Sequence, residues 1–356
     1  MTYIAKPKVH HPSLQRNAIG LTRRDYEGAI TTLCAGCGHD SITAAIIQAF
    51  WDLSIPPHTV AKLSGIGCSS KTPAYFLREA HGFNSVHGRM PAIATGAGAA
   101  NGSLMMIGVS GDGDSLSIGL GQLSHAIRRN VNMLYVLENN GVYGLTKGQF
   151  SASADPGSTS KKGEVNTMDA IDSVLLALTL GATFVARSFS GDSKQVQTLL
   201  KAAVSHRGTA VVDIISPCVT FNNSPDSNKS YSYGKENEIA LHEYDFIPVG
   251  YVQEQAEITA EYEEGSMIEV NMHDGSVIRL KKLDKGHDPR NRHEAMRVLE
   301  EAQREQLFLT GLLYYEEPRP VLGETLGLTD MPLSRLPDSK LRPPREALDR
   351  LMERFK

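Results

Sequence analysis

Short apolar runs alternate along much of the chain with segments whose apolar residues recur every three or four positions. Leu104–Val109, Met133–Leu137, Thr59–Leu63, Ala182–Ala186 and Ala210–Ile215 read as buried parallel strands. Between them, Ile42, Ala45, Ile46, Ala49, Phe50 and Leu53 form a helical stripe, capped by Asp40 or Ser41 and stopped by Pro56-Pro57. Helices are also predicted over Thr72–Glu79, Pro91–Asn101, Ile118–Arg129, Asp169–Leu180 and Lys194–Ser205, with a brief strand at Asn84–Val86. Strand and helix thus alternate from residue 40 to 218, which argues a doubly wound parallel sheet of the α/β class. Beyond it the pattern changes. Phe221–Glu238 is polar and loop-like, and Met267–Val270 with Val277–Leu280 flank His273-Asp274-Gly275 as a hairpin. Arg292–Gln306 is an amphipathic helix, residues 316–344 are rich in proline, and Asp349–Phe355 closes as a short helix.

At 356 residues and 41% hydrophobic content, the chain can bury a substantial core. Its net charge of −4 and lack of basic blocks give no sign of nucleic-acid binding. No apolar run is long enough to span a membrane, and the first residues lack the apolar core of a signal peptide, so a cytoplasmic protein is expected. Structural disulfides are then not expected, and the four cysteines, Cys34, Cys37, Cys68 and Cys218, need another reading. Four soft ligands suit a tetrahedral zinc ion or an iron–sulfur cluster. Structural zinc usually takes two close pairs. Here only Cys34 and Cys37 are close, which leans toward iron–sulfur, with inert buried thiols as the alternative.

Two further motifs end adjacent strands of one βαβ unit: Gly111-Asp112-Gly113-Asp114 and Asn139-Asn140-Gly141-Val142-Tyr143-Gly144. Open α/β sheets bind ligands at such strand ends. Gly111 and Gly113 permit a tight turn and a close approach, while Asp112 and Asn140 offer hard oxygens for a small divalent cation such as Mg2+. Each motif alone reads as a turn. Together, at this spacing, they resemble the thiamine diphosphate signature, which implies that Asp112, Asn140 and the carbonyl of Val142 hold Mg2+.

The ordered set Cys34–Cys37, Gly65-Ile66-Gly67-Cys68-Ser69-Ser70-Lys71, His87-Gly88-Arg89, Gly111–Asp114, Asn140–Gln149 and Pro217-Cys218 resembles the β subunits of 2-oxoacid:ferredoxin oxidoreductases, closest to the 2-oxoglutarate branch. The likeness covers roughly residues 20–225, and departs in having Leu33-Cys34-Ala35-Gly36-Cys37-Gly38-His39 where the family often has a Trp, a Pro and an Asp. It implies the thiamine-diphosphate-binding fold over residues 33–225; residues 1–32 read as an N-terminal extension and residues 226–356 as a C-terminal extension expected to pack against another subunit. It further implies one [4Fe-4S] cluster on the four cysteines, and thiamine diphosphate lined by Ile66, Gly67, Cys68, Ser69, His87, Gly113, Asp114, Gly144 and Leu145. Lys71 and Lys147 are candidates for substrate contacts, Lys71 for the distal carboxylate of 2-oxoglutarate. The bland reading of each is a solvated loop lysine. His87 reads as a proton donor or a hydrogen-bond partner of the diphosphate, and Arg89 as its counter-ion or a structural ion pair. CoA is the expected acyl acceptor and ferredoxin the electron acceptor. Nothing in the chain resembles the second domain that supplies the activating glutamate of thiamine enzymes, so an α subunit is expected, in an α2β2 assembly. A pyruvate enzyme, a non-oxidative thiamine decarboxylase and a zinc-stabilised binding module are the alternatives.

Overall fold

The alternation becomes one nine-stranded sheet in a computed structural model, which describes residues 11–160, 162–221, 257–272 and 277–355. The strands in it are β1 (Val60–Ser64), β2 (His81–Asn84), β3 (Met105–Gly111), β4 (Met133–Asn139), β7 (Phe184–Phe189), β8 (Thr209–Ile215), β9 (Met267–Asn271), β10 (Val277–Lys282) and β11 (Phe308–Tyr315). A separate two-stranded hairpin holds β5 (Val142–Tyr143) and β6 (Gln149–Phe150). The sheet order is β2-β1-β3-β4-β8-β7-β11-β10-β9, with the first six strands mutually parallel. The chain leaves β1 toward one edge and β3 toward the other, so the strand order reverses between them. That reversal opens a crevice at their carboxyl ends. The turns Gly65–Lys71 and Gly111–Asp114 lie there.

The helices are α1 (Gly38–Asp52), α2 (Thr72–Tyr75), α3 (Met90–Ala100), α4 (Leu120–Arg128), α5 (Ser173–Leu180), α6 (Ser193–Ser205) and α7 (Arg292–Arg304), followed by short pieces at Leu322–Thr325 and Asp338–Leu341 and a last helix at Arg345–Glu353. They cover both faces. Met90, Ala94, Leu123, Ile127, Val174, Leu178 and Leu299 pack with Ala61, Leu63, Tyr135, Leu137 and Val211 on one side. Ile42, Ile46, Phe50, Val196 and Leu200 pack with Val60, Ile107, Val109, Val136 and Val212 on the other. Successive strand residues thus point into two cores, which is why these strands read as unbroken apolar runs.

Several boundaries differ from expectation. α1 begins at Gly38, ahead of Asp40 and Ser41, with Cys37 at its cap. Tertiary packing sets this start: the Gly38 amide donates to the Pro217 carbonyl at 3.3 Å, and a side chain there would meet the Ser190 and Ser216 hydroxyls. α2 ends at Tyr75, because Phe76 turns extended and Leu77 takes a φ of 45°. The strand expected at Asn84–Val86 lies at His81–Asn84. α5 starts at Ser173, where Asp172 accepts from the amides of Val174 and Leu175. β11 was not expected: it runs antiparallel to β7 and joins the strands of residues 267–315 to the parallel sheet. β9 and β10 pair antiparallel as the hairpin pattern implied, while its His273–Gly275 turn and the Phe221–Glu238 loop fall mostly outside the described residues. Among the described residues no helix is long and apolar enough to cross a membrane.

Candidate functional site

Three turns meet at the crevice. A side chain at Gly111 would strike the Ser69 hydroxyl at 2.9 Å, and one at Gly65 would strike the Asp114 carboxylate and the Ser110 hydroxyl. The turns after β1 and β3 therefore touch backbone to side chain, and only glycine fits. Asp114 is buried, with Oδ1 accepting from the Gly88 amide at 2.7 Å and Oδ2 from Ser110 at 2.9 Å. Its carboxylate holds the His87–Arg89 turn in place. His87 and Arg89 themselves are exposed.

Asp112 is 1% exposed. One oxygen accepts from the Asn140 amide at 3.3 Å, and the other accepts from Ser151 and from Ser153 at 2.6 Å. The Asn140 side-chain oxygen takes the Val142 amide at 3.1 Å, around Gly141 at φ 73°. Asp112, Asn140 and Val142 are thus brought together. Burial pushes the Asp112 carboxyl above its ordinary range, against the hydrogen bonds from Ser151, Ser153 and Asn140 that lower it. A buried carboxylate of this kind suits a cation partner. The donor set, one carboxylate with amide and carbonyl oxygens, fits a hard ion that keeps other positions for phosphate and water. Tyr143 lies against Gly113 and donates to its carbonyl at 2.9 Å, closing one side of the turn.

The cysteines come to the same strand ends. All four are free thiols; Cys34 is exposed, Cys37 buried, Cys68 and Cys218 half-buried. A methyl group added at Gly144 would touch the sulfurs of Cys68 and Cys218, at 3.5 and 3.6 Å. Burial pushes Cys218 up to about 11, and negative charge on Cys68 and Cys34 adds to the rise. Burial also raises Cys37, with Cys218 contributing, and Cys68, with Cys34 contributing while Lys71 opposes. Cys218 therefore lies within electrostatic reach of the other three thiols. Among the described residues, no three His, Cys, Asp or Glu side chains converge on a point that would hold one ion.

Of the remaining candidates, Ile66 and Gly67 are half-buried in the β1 turn, with Gly67 at φ 129° and Lys71 half-buried beside Cys68. Leu145 and Lys147 are exposed on the loop after Gly144, Lys147 at φ 78°.

Sequence reasoning missed Ser151 and Ser153, although Ser-x-Ser follows Gln149-Phe150 directly. It also missed a buried polar group under the cysteines. Glu138, fully buried, accepts from Thr72 at 3.1 and 3.0 Å, and lies 3.6 Å from His39, whose Nδ1 is 2.6 Å from the Ser216 hydroxyl. Burial holds Glu138 well above the carboxylate range and His39 down at about 4. A lone Glu in an apolar strand, Leu134–Leu137 then Glu138, was the available signal.

Comparison with known proteins gives consistent relatives. The family model for the thiamine pyrophosphate enzyme C-terminal TPP-binding domain matches residues 65–214. The β subunit of a 2-oxoacid:ferredoxin oxidoreductase from Sulfolobus sp is 41% identical over 216 residues, covering 60% of this chain and 68% of that one. The 2-oxoglutarate oxidoreductase subunit KorB of Mycobacterium tuberculosis is 42% identical over 219 residues, 59% of this chain but only 58% of the relative's length. A solved 2-oxoglutarate:ferredoxin oxidoreductase from Magnetococcus marinus, with 2-oxoglutarate, coenzyme A and succinyl-CoA bound, superposes with a TM-score of 0.67 at 31% identity, covering 89% of this chain and 91% of that one.

Proposed function

The chain belongs to the β subunits of the 2-oxoacid:ferredoxin oxidoreductases, and we propose that it forms the thiamine-binding half of a 2-oxoglutarate enzyme. The reaction converts 2-oxoglutarate, CoA and two oxidised ferredoxins into succinyl-CoA, CO2, two reduced ferredoxins and a proton. The observation that carries this reading is the meeting of Asp112 and the Asn140 turn with Gly144, which the Cys68 and Cys218 sulfurs flank. One crevice thereby offers both a cation clamp and thiols. It supports a two-electron oxidation whose electrons leave singly.

Thiamine diphosphate supplies a carbon nucleophile for the 2-oxoacid carbonyl and an electron sink once CO2 departs. Asp112, Asn140 and the Val142 carbonyl would hold the magnesium that neutralises its diphosphate. Ser69, over Gly111, and Tyr143, over Gly113, would line the site of the cofactor. Cys34, Cys37, Cys68 and Cys218, of which Cys34 is exposed, would hold a cluster that could accept the electrons. Lys71, half-buried and beside Cys68, is the cation for the distal carboxylate of 2-oxoglutarate. An α subunit completes the site in an α2β2 assembly of the cytoplasm.

Anaerobic co-purification with the co-expressed partner subunit, metal analysis and a CoA-dependent dye-reduction assay test this reading. Brown protein containing iron and sulfide, active with 2-oxoglutarate, is expected. Colourless, zinc-loaded protein or aldehyde release without an acceptor overturns it. In Lys71→Ala, the KM for 2-oxoglutarate rises about tenfold or more while pyruvate turnover is unchanged. An unchanged KM removes the carboxylate role.

A further inference from the structure

The cysteines come from three separate segments, and each of those segments sends one side chain down to the same buried carboxylate network. Thr72 follows the Cys68–Lys71 turn and donates to both oxygens of Glu138, at 3.1 and 3.0 Å. His39 follows Cys37 and lies 3.6 Å from Glu138. Ser216 lies two residues before Cys218, and its hydroxyl is 2.6 Å from the His39 Nδ1, the same nitrogen that faces Glu138. Glu138 itself is the penultimate residue of β4, just before Asn139 and Asn140. All four side chains are at most 1% exposed.

Backbone contacts run alongside. The Ser216 amide donates to the Asn139 carbonyl at 2.7 Å, the Gly38 amide to the Pro217 carbonyl at 3.3 Å, and the Lys71 amide to the Cys68 carbonyl at 3.1 Å. Such a network is costly to bury unless its members satisfy one another. Its geometry is specific, because a hydrogen bond lost here leaves an oxygen stranded in a dry interior. The apolar sheet needs no carboxylate at this point for packing.

We propose that Thr72, Glu138, His39 and Ser216 are positioning residues that pin the three cysteine-bearing segments at the separation a cluster requires. The inference rests on the reading of these cysteines as cluster ligands. It assigns the four side chains a role in cluster retention and environment that is separate from any contact with substrate. Since hydrogen bonding and burial around the sulfurs tune cluster potentials, a displaced segment also changes the potential.

The test uses the anaerobically purified complex with its partner subunit. Thr72→Val keeps the shape and removes the hydroxyl; Thr72→Ser keeps the hydroxyl. Iron and sulfide content, the paramagnetic resonance spectrum of the reduced protein, its midpoint potential and the rate of iron loss to a chelator are measured beside the melting temperature. Thr72→Val is expected to lose iron about tenfold faster than wild type and to show a shifted spectrum and potential, with Thr72→Ser restoring all three. A Thr72→Val protein that only melts lower, with wild-type iron loss, spectrum and potential, overturns the proposal and leaves the cluster reading standing. Wild-type complex without iron and sulfide overturns the cluster reading, and the proposal with it. Should Thr72→Val fail to fold, Ser216→Ala with Ser216→Thr as its control carries the same expectations and the same refutation.

Discussion

Asp112 shows how much a single residue type can announce. A carboxylate between two glycines at a strand end is legible because nothing in a parallel core needs it. Its hydrogen-bond partners were not, because Ser151 and Ser153 reach it across a loop whose path no local pattern gives. Lys62 presents the converse case. It sits in a strand that reads as wholly apolar, is 8% exposed, and donates to the Phe76 carbonyl at 2.5 Å while lying over the Phe76 ring. Burial lowers its pKa from 10.5 to about 8. Between those values the unfolded chain holds a proton that the folded chain has released, so stability rises with pH across that window. Urea unfolding at both ends of the window should show this rise in wild type and a flatter profile in Lys62→Met. Identical slopes would mean that the lysine titrates normally.

Among the elements, the junction of β7, β8 and α5 depends most on charge. Arg187 donates to Asp213 at 3.0 Å and to Asp172 at 2.8 Å, and Ser173 donates to Asp213 at 2.6 Å. The two carboxylates hold the guanidinium protonated, and Arg187 keeps Asp172 below the ordinary carboxylate range, although burial opposes each. Arg187→Met leaves two carboxylates in the core without a counter-charge. Chemical denaturation should register a loss of about 3–5 kcal/mol; a loss under about 1 kcal/mol would mean that the group contributes little. The helices and parallel strands around this junction were legible because burial on both faces makes each strand an unbroken apolar run. Starts and stops were less so. α1 begins where Gly38 meets Pro217 and Ser216, residues distant in sequence, and no reading of its own segment contains that contact.

For the whole molecule, the parallel sheet followed from the alternation, whereas the strand order did not; its reversal between β1 and β3 is where the two glycine turns meet. β11 (Phe308–Tyr315) escaped notice because it lies between β10 and β7, and the β7 side of that pairing is distant in sequence. The last segment differs in kind. No residue of Arg345–Glu353 is buried, and Leu348, Leu351, Met352 and Phe355 are 49–80% exposed. Truncation after Met331 should therefore leave the melting temperature of the remaining chain nearly unchanged, whereas deletion of Phe308–Tyr315 should leave it unable to fold. Calorimetry on both, with the full chain as reference, checks this. A large drop in the first would show that the segment packs on the sheet.

The β7–β11 pairing carries a consequence for biosynthesis. Arg187 emerges from the ribosome long before Gly311, its partner in the ladder. Until then the open flank of β7 is a row of unpaired amides and carbonyls, ready to accept a strand from a neighbouring nascent chain. Production should accordingly be sensitive to translation speed and to chaperone supply.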